Sequence, residues 1–173
     1  MAIVEIPYDF IIQHVELGWT EIKFGLDHEL VKPKAAIEKA TERLCRTDAA
    51  PMEVVELASL AENEPVADLV SHLANAETPP AEEHVKAKWL YLVLAWLFEH
   101  RESLADPFGM VEKVYSDFDY PKEIVSFVRY MPMDGPDLGN REQNEARLAD
   151  RWKAYLNRAG KRFARAAGNR EYT

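Results

Sequence analysis

Histidine, cysteine and glycine spacing decides which chemistry this chain is able to carry. Five histidines, at positions 14, 28, 72, 84 and 100, are the first candidates for catalysis or metal binding. They show no H-E-x-x-H or paired-His spacing, and no C-x-x-C accompanies them. His84 and His100 fall on one expected helix, about 160° apart around its axis at roughly 100° per residue, so they cannot share a ligand sphere. His100 ends that helix, where a positive imidazolium suits the negative end of the dipole. The histidines therefore read as structural. Cys45 lies near the end of an amphipathic helix beside Leu44 and reads as a half-buried, inert thiol. The glycines of "DGPDLGN" have no following Lys-Ser/Thr and no preceding strand, so no phosphate loop is formed. No cofactor and no metal are implied. An enzyme built from Asp, Glu, Arg and His side chains leaves weak marks in a sequence and stays open as an alternative.

The densest stretch is "SDFDYPKEIVSFVRYMPMDG", residues 116–135. From Asp117 it is not a calcium loop: the sixth position is Lys122, not glycine, and the twelfth is Val128, not glutamate. Capping rules account for most of it. Pro121 suits a first helical turn and pushes Tyr120 out of the helical region. Asp117, Asp119 and Glu123 then sit at the positive end of the new helix. Ile124, Phe127, Val128 and Met131 form its buried stripe, and Pro132 stops it. Asp117, Asp119, Arg129 and Tyr130 remain after packing is accounted for. They are the candidate partner-binding patch.

The elements that must position these residues are helical. "PYDFIIQHVELG" runs from Pro7 to a stop at Gly18, and "TEIKFGL" starts at a Thr20 cap. "KPKAAIEKATERLC" places Ala36, Ile37, Ala40 and Leu44 on one face. Two short helices follow, "PMEVVELASLA" and "EPVADLVSHLANA". Residues from about 80 to 102 form the strongest helix, apolar on every side from Trp89 to Phe98, as the centre of a bundle requires. A final helix from about Arg141 carries Leu148, Trp152, Tyr155, Leu156, Ala159 and Phe163 at helical spacing. Only "AIVEI" near the start resembles a strand. The expected fold is all-α: one domain over residues 1–173, about eight helices around the Trp-rich helix, with a basic C-terminal helix and tail from about 141.

At 173 residues the chain is long enough for one domain that buries roughly 70% of its unfolded surface. The longest apolar run, Trp89 to Phe98, is half of the roughly 20 residues a membrane span needs. The first residues carry Glu5 and Asp9 where a secretory signal would be basic. A single cysteine fits a reducing compartment, and the expected location is the cytoplasm. Residues 1–150 hold 14 Lys and Arg against 29 Asp and Glu, net −15; residues 151–173 hold 7 against 1, net +6. Such a body repels nucleic acid and speeds encounter with a basic protein.

The segments "LGWTEIKFGL", "APMEVVELASL", "KWLYLVLAWLFEHR", "DFDYPKEIVSFVRYMP" and "NREQNEARLADRWKAYL" together resemble a family of small bacterial proteins catalogued as a domain of unknown function. The resemblance runs in order to about Leu156. It implies a helical, cytoplasmic bacterial protein, and for some relatives a place among toxin-immunity or similar protein-binding partners. It supplies no catalytic residues to carry over.

The leading expectation is a non-enzymatic protein that binds a protein partner, an immunity protein neutralising a basic toxin through an acidic surface. The alternatives are the unrecognised enzyme and, third, nucleic-acid binding through Arg158, Lys161, Arg162 and Arg165 of the C-terminal helix. Trp152, Tyr155 and Phe163 lie on the apolar stripe of that helix and are expected to be spent on the core, which weakens the third reading. A homodimer is compatible with the same sequence.

Overall fold

Proline, glycine and acidic caps cut this chain into helices, and the computed structural model describes residues 4–132 and 135–164. Among the described residues every regular element is helical. The basic positions Arg165 and Arg170, and the first two residues of "AIVEI", lie outside the described residues. Val4 to Ile6 are not in a regular element. The all-α class expected from the spacing is the class observed.

The chain divides into two compact units, Met1–Val85 and Lys86–Thr173. The first holds α1 (Tyr8–His14), α2 (Trp19–Asp27), α3 (Lys34–Arg46), α4 (Met52–Ala58) and α5 (Ala67–Ala76). Here α3 packs on α1 and α4, and α5 packs on α2 and α4. Its core includes Ile11, Val15, Ile22, Ala36, Ala40, Val54, Leu57 and Val70. Three boundaries differ from expectation. Pro7 is the residue before α1, and α1 ends at His14 because Val15 turns extended to bury its side chain. Gly18 caps the start of α2 instead of ending α1, so Thr20 lies inside the helix and its hydroxyl is buried without a hydrogen-bond partner among the described residues. On α3 the buried face is Ala35, Ala36 and Ala40, which leaves Ile37 and Leu44 half-buried and Cys45 exposed.

α6 (Glu82–Glu99) starts at the end of the first unit and supplies the core of the second. Trp89 through Ala95 are all buried, whereas Trp96 is half-buried against His100. The second unit adds a 3-10 turn at Arg101–Ser103, α7 (Pro107–Asp117), a second 3-10 turn at Lys122–Phe127 and α8 (Arg141–Phe163). The α8 stripe Leu148, Trp152, Tyr155, Leu156, Ala159 and Phe163 is buried, as its spacing requires. Trp152 is the hub. It meets Phe98 edge-on at 5.2 Å and Phe108 at 6.1 Å, and it stacks on Phe127 at 6.0 Å between centroids. Such aromatic pairs each add about 0.5–1.5 kcal/mol beyond burial.

The segment after Pro121 is the main correction. It makes a six-residue 3-10 turn, not an α-helix running to Pro132. Ile124, Val125 and Val128 are β-branched and lose rotamer freedom in a helix. The Arg151 side chain takes the Ser126 carbonyl at 3.0 Å, an acceptor that further helical turns would have used. Ile124, Phe127 and Val128 are nevertheless buried, while Met131 is half-buried.

Candidate functional site

The four candidate residues lie in the second unit, around the end of α7. Asp117 is the last residue of α7, so it faces the negative end of that helix dipole and does not start a new helix. Phe118 follows as the cap. Asp119 and Tyr120 then adopt φ values of 60° and 58°, left-handed for two consecutive residues that are not glycine. The Tyr120 N–H donates to the Tyr115 carbonyl at 2.8 Å and the Asp119 N–H to Ser116 at 3.3 Å. That pair of bonds is a Schellman end with aspartate in the place glycine usually takes. Pro121 was expected to push Tyr120 out of the helical region, and Tyr120 is out of it, held left-handed by the closing hydrogen bond to Tyr115.

This turn carries Tyr120 outward. Tyr120 is 60% exposed and Tyr130 is 56% exposed, high for side chains of that size. Both rest against the buried ring of Tyr115, at centroid distances of 5.2 Å and 6.1 Å. Partial burial, followed by the neighbouring Tyr115 and Tyr120, pushes the Tyr130 hydroxyl above its ordinary value. The Asp119 side chain is 82% exposed and makes one long contact to Lys86 Nζ at 3.4 Å.

Arg129 has a different role from the other three. Its Nη1 and Nη2 donate to the two Asp106 oxygens, each at 3.0 Å, and its Nε donates to Glu112 Oε1 at 3.0 Å. Asp106 also caps α7 by accepting from the Gly109 N–H at 3.1 Å. The Arg129 hydrogen bonds, then the Gly109 N–H, hold the Asp106 carboxyl below the ordinary carboxylate range. The guanidinium ties the segment after the 3-10 turn to both ends of the first turns of α7 and sets where Tyr130 emerges. Sequence reasoning missed Tyr120, whose exposure depends on the left-handed turn; "DYP" after a helix was the available signal.

The first unit offers two further features. Residues 47–85 contain nine Asp and Glu and no Lys or Arg. Within that run α4 exposes Met52 and Val55, beside Glu56. The unit as a whole holds 17 Asp and Glu against 6 Lys and Arg, net −11, whereas the second holds 13 against 15, net +2. A cleft of about 500 Å³ is lined by Trp19, Lys39, Arg43 and Glu77 among others. There the Lys39 amine donates to the Leu17 carbonyl and lies 5.0 Å above the Trp19 ring. Burial pulls it below the ordinary lysine value despite the surrounding glutamates. The Glu77 carboxylate accepts from the N–H groups of Trp19 and Thr20 at 3.1 and 2.6 Å, capping α2 from a distant part of the chain.

Three histidines repeat one device. Nδ1 of His14, His28 and His100 lies 2.8–2.9 Å from the carbonyl of Phe10, Phe24 and Trp96, four residues earlier. Each imidazole also stacks on that aromatic ring, at 4.1, 4.0 and 3.7 Å. A carbonyl only accepts, so Nδ1 carries the proton in each case. These rings finish helices. Among the described residues no three His, Cys, Asp or Glu side chains are grouped to hold a metal ion, and no helix is long and apolar enough to cross a membrane.

The match to known families covers residues 8–160, taking in the α7 turn, the Arg129 clamp and both exposed tyrosines. The chain belongs to DUF2247. That family is described as an uncharacterised protein conserved in bacteria. The match ends near the last turn of α8 and leaves out the basic tail, as the sequence resemblance did. No curated protein and no solved structure matches the chain.

Proposed function

We propose that this DUF2247 protein binds a basic protein in the bacterial cytoplasm and neutralises it, as an immunity protein does a toxin. The observation that carries the reading is the outward presentation of Tyr120 and Tyr130 beside a turn that holds two non-glycine residues left-handed. Backbone of that kind costs of order 1–3 kcal/mol per residue and is kept chiefly where it serves a site. Tyrosine offers a large, rigid face with a polar tip, and interfaces concentrate their binding energy in such residues. The net charge of −11 on the first unit supports a basic partner, because a field of one sign raises the encounter rate with the opposite sign. The stacking aromatics that a nucleic-acid reading would need, Trp152, Tyr155 and Phe163, are buried.

The test is a binding measurement between this protein and the product of the adjacent gene, at about 50 mM and about 500 mM salt, either side of the range where screening sets in. The expected result is a complex whose association rate falls at least tenfold with salt. The reading is abandoned if that product does not bind at either salt and no basic protein is retained from the host extract.

A further inference from the structure

The tyrosine patch has a chemistry that selects among basic side chains. Tyr120 and Tyr130 both present more than half of their surface, and each is braced by the buried Tyr115 ring, so their positions are set before any partner arrives. Asp119 immediately precedes Tyr120, and Asp117 ends the helix just before it; both are exposed. The nearby carboxylates of Asp106 and Glu112 are already engaged by Arg129, which leaves Asp117 and Asp119 as the open acids of the turn. Among the described residues Asp119 has only its long Lys86 contact to give up. Exposed aromatic faces on a turn that also carries open carboxylates suit a guanidinium better than an ammonium. The planar group stacks on the ring while its N–H groups fork onto a carboxylate, and it is the more weakly hydrated of the two. The chain uses the same chemistry internally: Arg101 lies 4.0 Å above the Phe98 ring, and Arg129 forks onto Asp106.

We propose that Tyr120 and Tyr130 receive an arginine side chain of the basic partner protein, with its guanidinium on the tyrosine faces and its N–H groups on Asp117 and Asp119. This rests on the protein-binding reading and names the group that is read. The tyrosine turn distinguishes arginine from lysine among basic partners.

The experiment uses the full chain and capped Gly/Ser peptides carrying three arginines, three lysines or three citrullines, with free L-arginine as a further ligand. Binding is followed by NMR of ring-labelled tyrosine. The arginine peptide is expected to bind saturably with shifts at Tyr120 and Tyr130. The lysine peptide should bind about fivefold more weakly, the size of one exposed cation–π contact, and the citrulline peptide weaker still. Tyr120→Ala and Tyr130→Ala should each lose about fivefold, whereas Tyr120→Phe keeps the ring and stays within twofold. Asp119→Asn keeps the left-handed backbone and should weaken the arginine peptide alone. Equal affinity for arginine and lysine peptides with no effect of Tyr120→Ala would overturn the inference and leave the protein-binding reading standing. Free arginine binding as tightly as the peptide would also overturn it, by making the patch a small-molecule site. If no peptide binds, the inference falls, and the reading is decided by the adjacent-gene measurement alone.

Discussion

The Arg129 guanidinium meets Asp106 two-on-two, Nη1 to Oδ1 and Nη2 to Oδ2 at 3.0 Å each, while the same carboxylate caps α7 through Gly109 N–H. One aspartate thus starts a helix and fixes the segment that carries Tyr130. A Cβ added at Gly109 would lie 2.5 Å from Asp106 Oδ2 and 2.9 Å from its Cγ. Alanine in place of glycine inside a helix ordinarily stabilises by about 1 kcal/mol. Here the carboxylate is held by Arg129 and cannot move away freely. Gly109→Ala is therefore expected to lose about 1–2 kcal/mol in urea denaturation, the worth of a displaced charged hydrogen bond. A gain would show that the carboxylate is loosely held.

The same pair predicts a pH dependence. Arg129 holds the folded-state value of Asp106 below its ordinary 3.8. The stabilisation is present above that value and is lost as the pH falls through the lower folded value. Arg129→Met should cost about 1–2 kcal/mol at neutral pH, modest because the pair is partly exposed. The difference from wild type should shrink as the pH falls below about 4, read from urea midpoints at each pH.

Strain at the α7 turn predicts a separation of stability from binding. Asp119→Gly places the residue type preferred for a left-handed helix end where the backbone already requires it. Its expected effect is a gain of about 0.5–1 kcal/mol, net of the extra freedom of glycine in the unfolded chain. Tyr120→Gly should likewise keep or raise stability while weakening partner binding. Thermal melts alongside affinity measurements check both.

Tyr155 is buried on α8 and its hydroxyl has no hydrogen-bond partner among the described residues. Burial pushes that hydroxyl above its ordinary value. A buried polar group without a partner costs free energy, so removing it is neutral or favourable. Tyr155→Phe should leave stability unchanged or raise it by up to about 1 kcal/mol. A loss above about 1 kcal/mol would mean that the hydroxyl has a partner.

Periodicity made the helices legible, and it did so best where packing alone decides. The α8 stripe from Leu148 to Phe163 was readable because six apolar residues keep one face over many turns. α6 was readable because it is apolar on every side. The ends were less legible. α2 starts straight after Gly18 because Glu77, far along the chain, supplies the carboxylate its N–H groups need. α2 and α7 end in left-handed Glu29 and Asp119 where a reader looks for glycine. The candidate patch was half legible: Asp119 and Tyr130 are exposed as expected, but Arg129 is engaged by Asp106 and Glu112, which sequence separation conceals. Tyr120 depends on a backbone conformation that its own residue type disfavours, and the closing hydrogen bond to the Tyr115 carbonyl supplies the reason.

The most direct measurement of the central claim is the affinity of the adjacent gene's product for wild type and for the Tyr120→Ala/Tyr130→Ala variant. Both tyrosines are exposed, so the variant should fold, which a thermal melt establishes first. Loss of two interface hot spots, at about 2 kcal/mol or more each, predicts an affinity drop approaching roughly a thousandfold. An unchanged affinity in the folded variant would contradict the account.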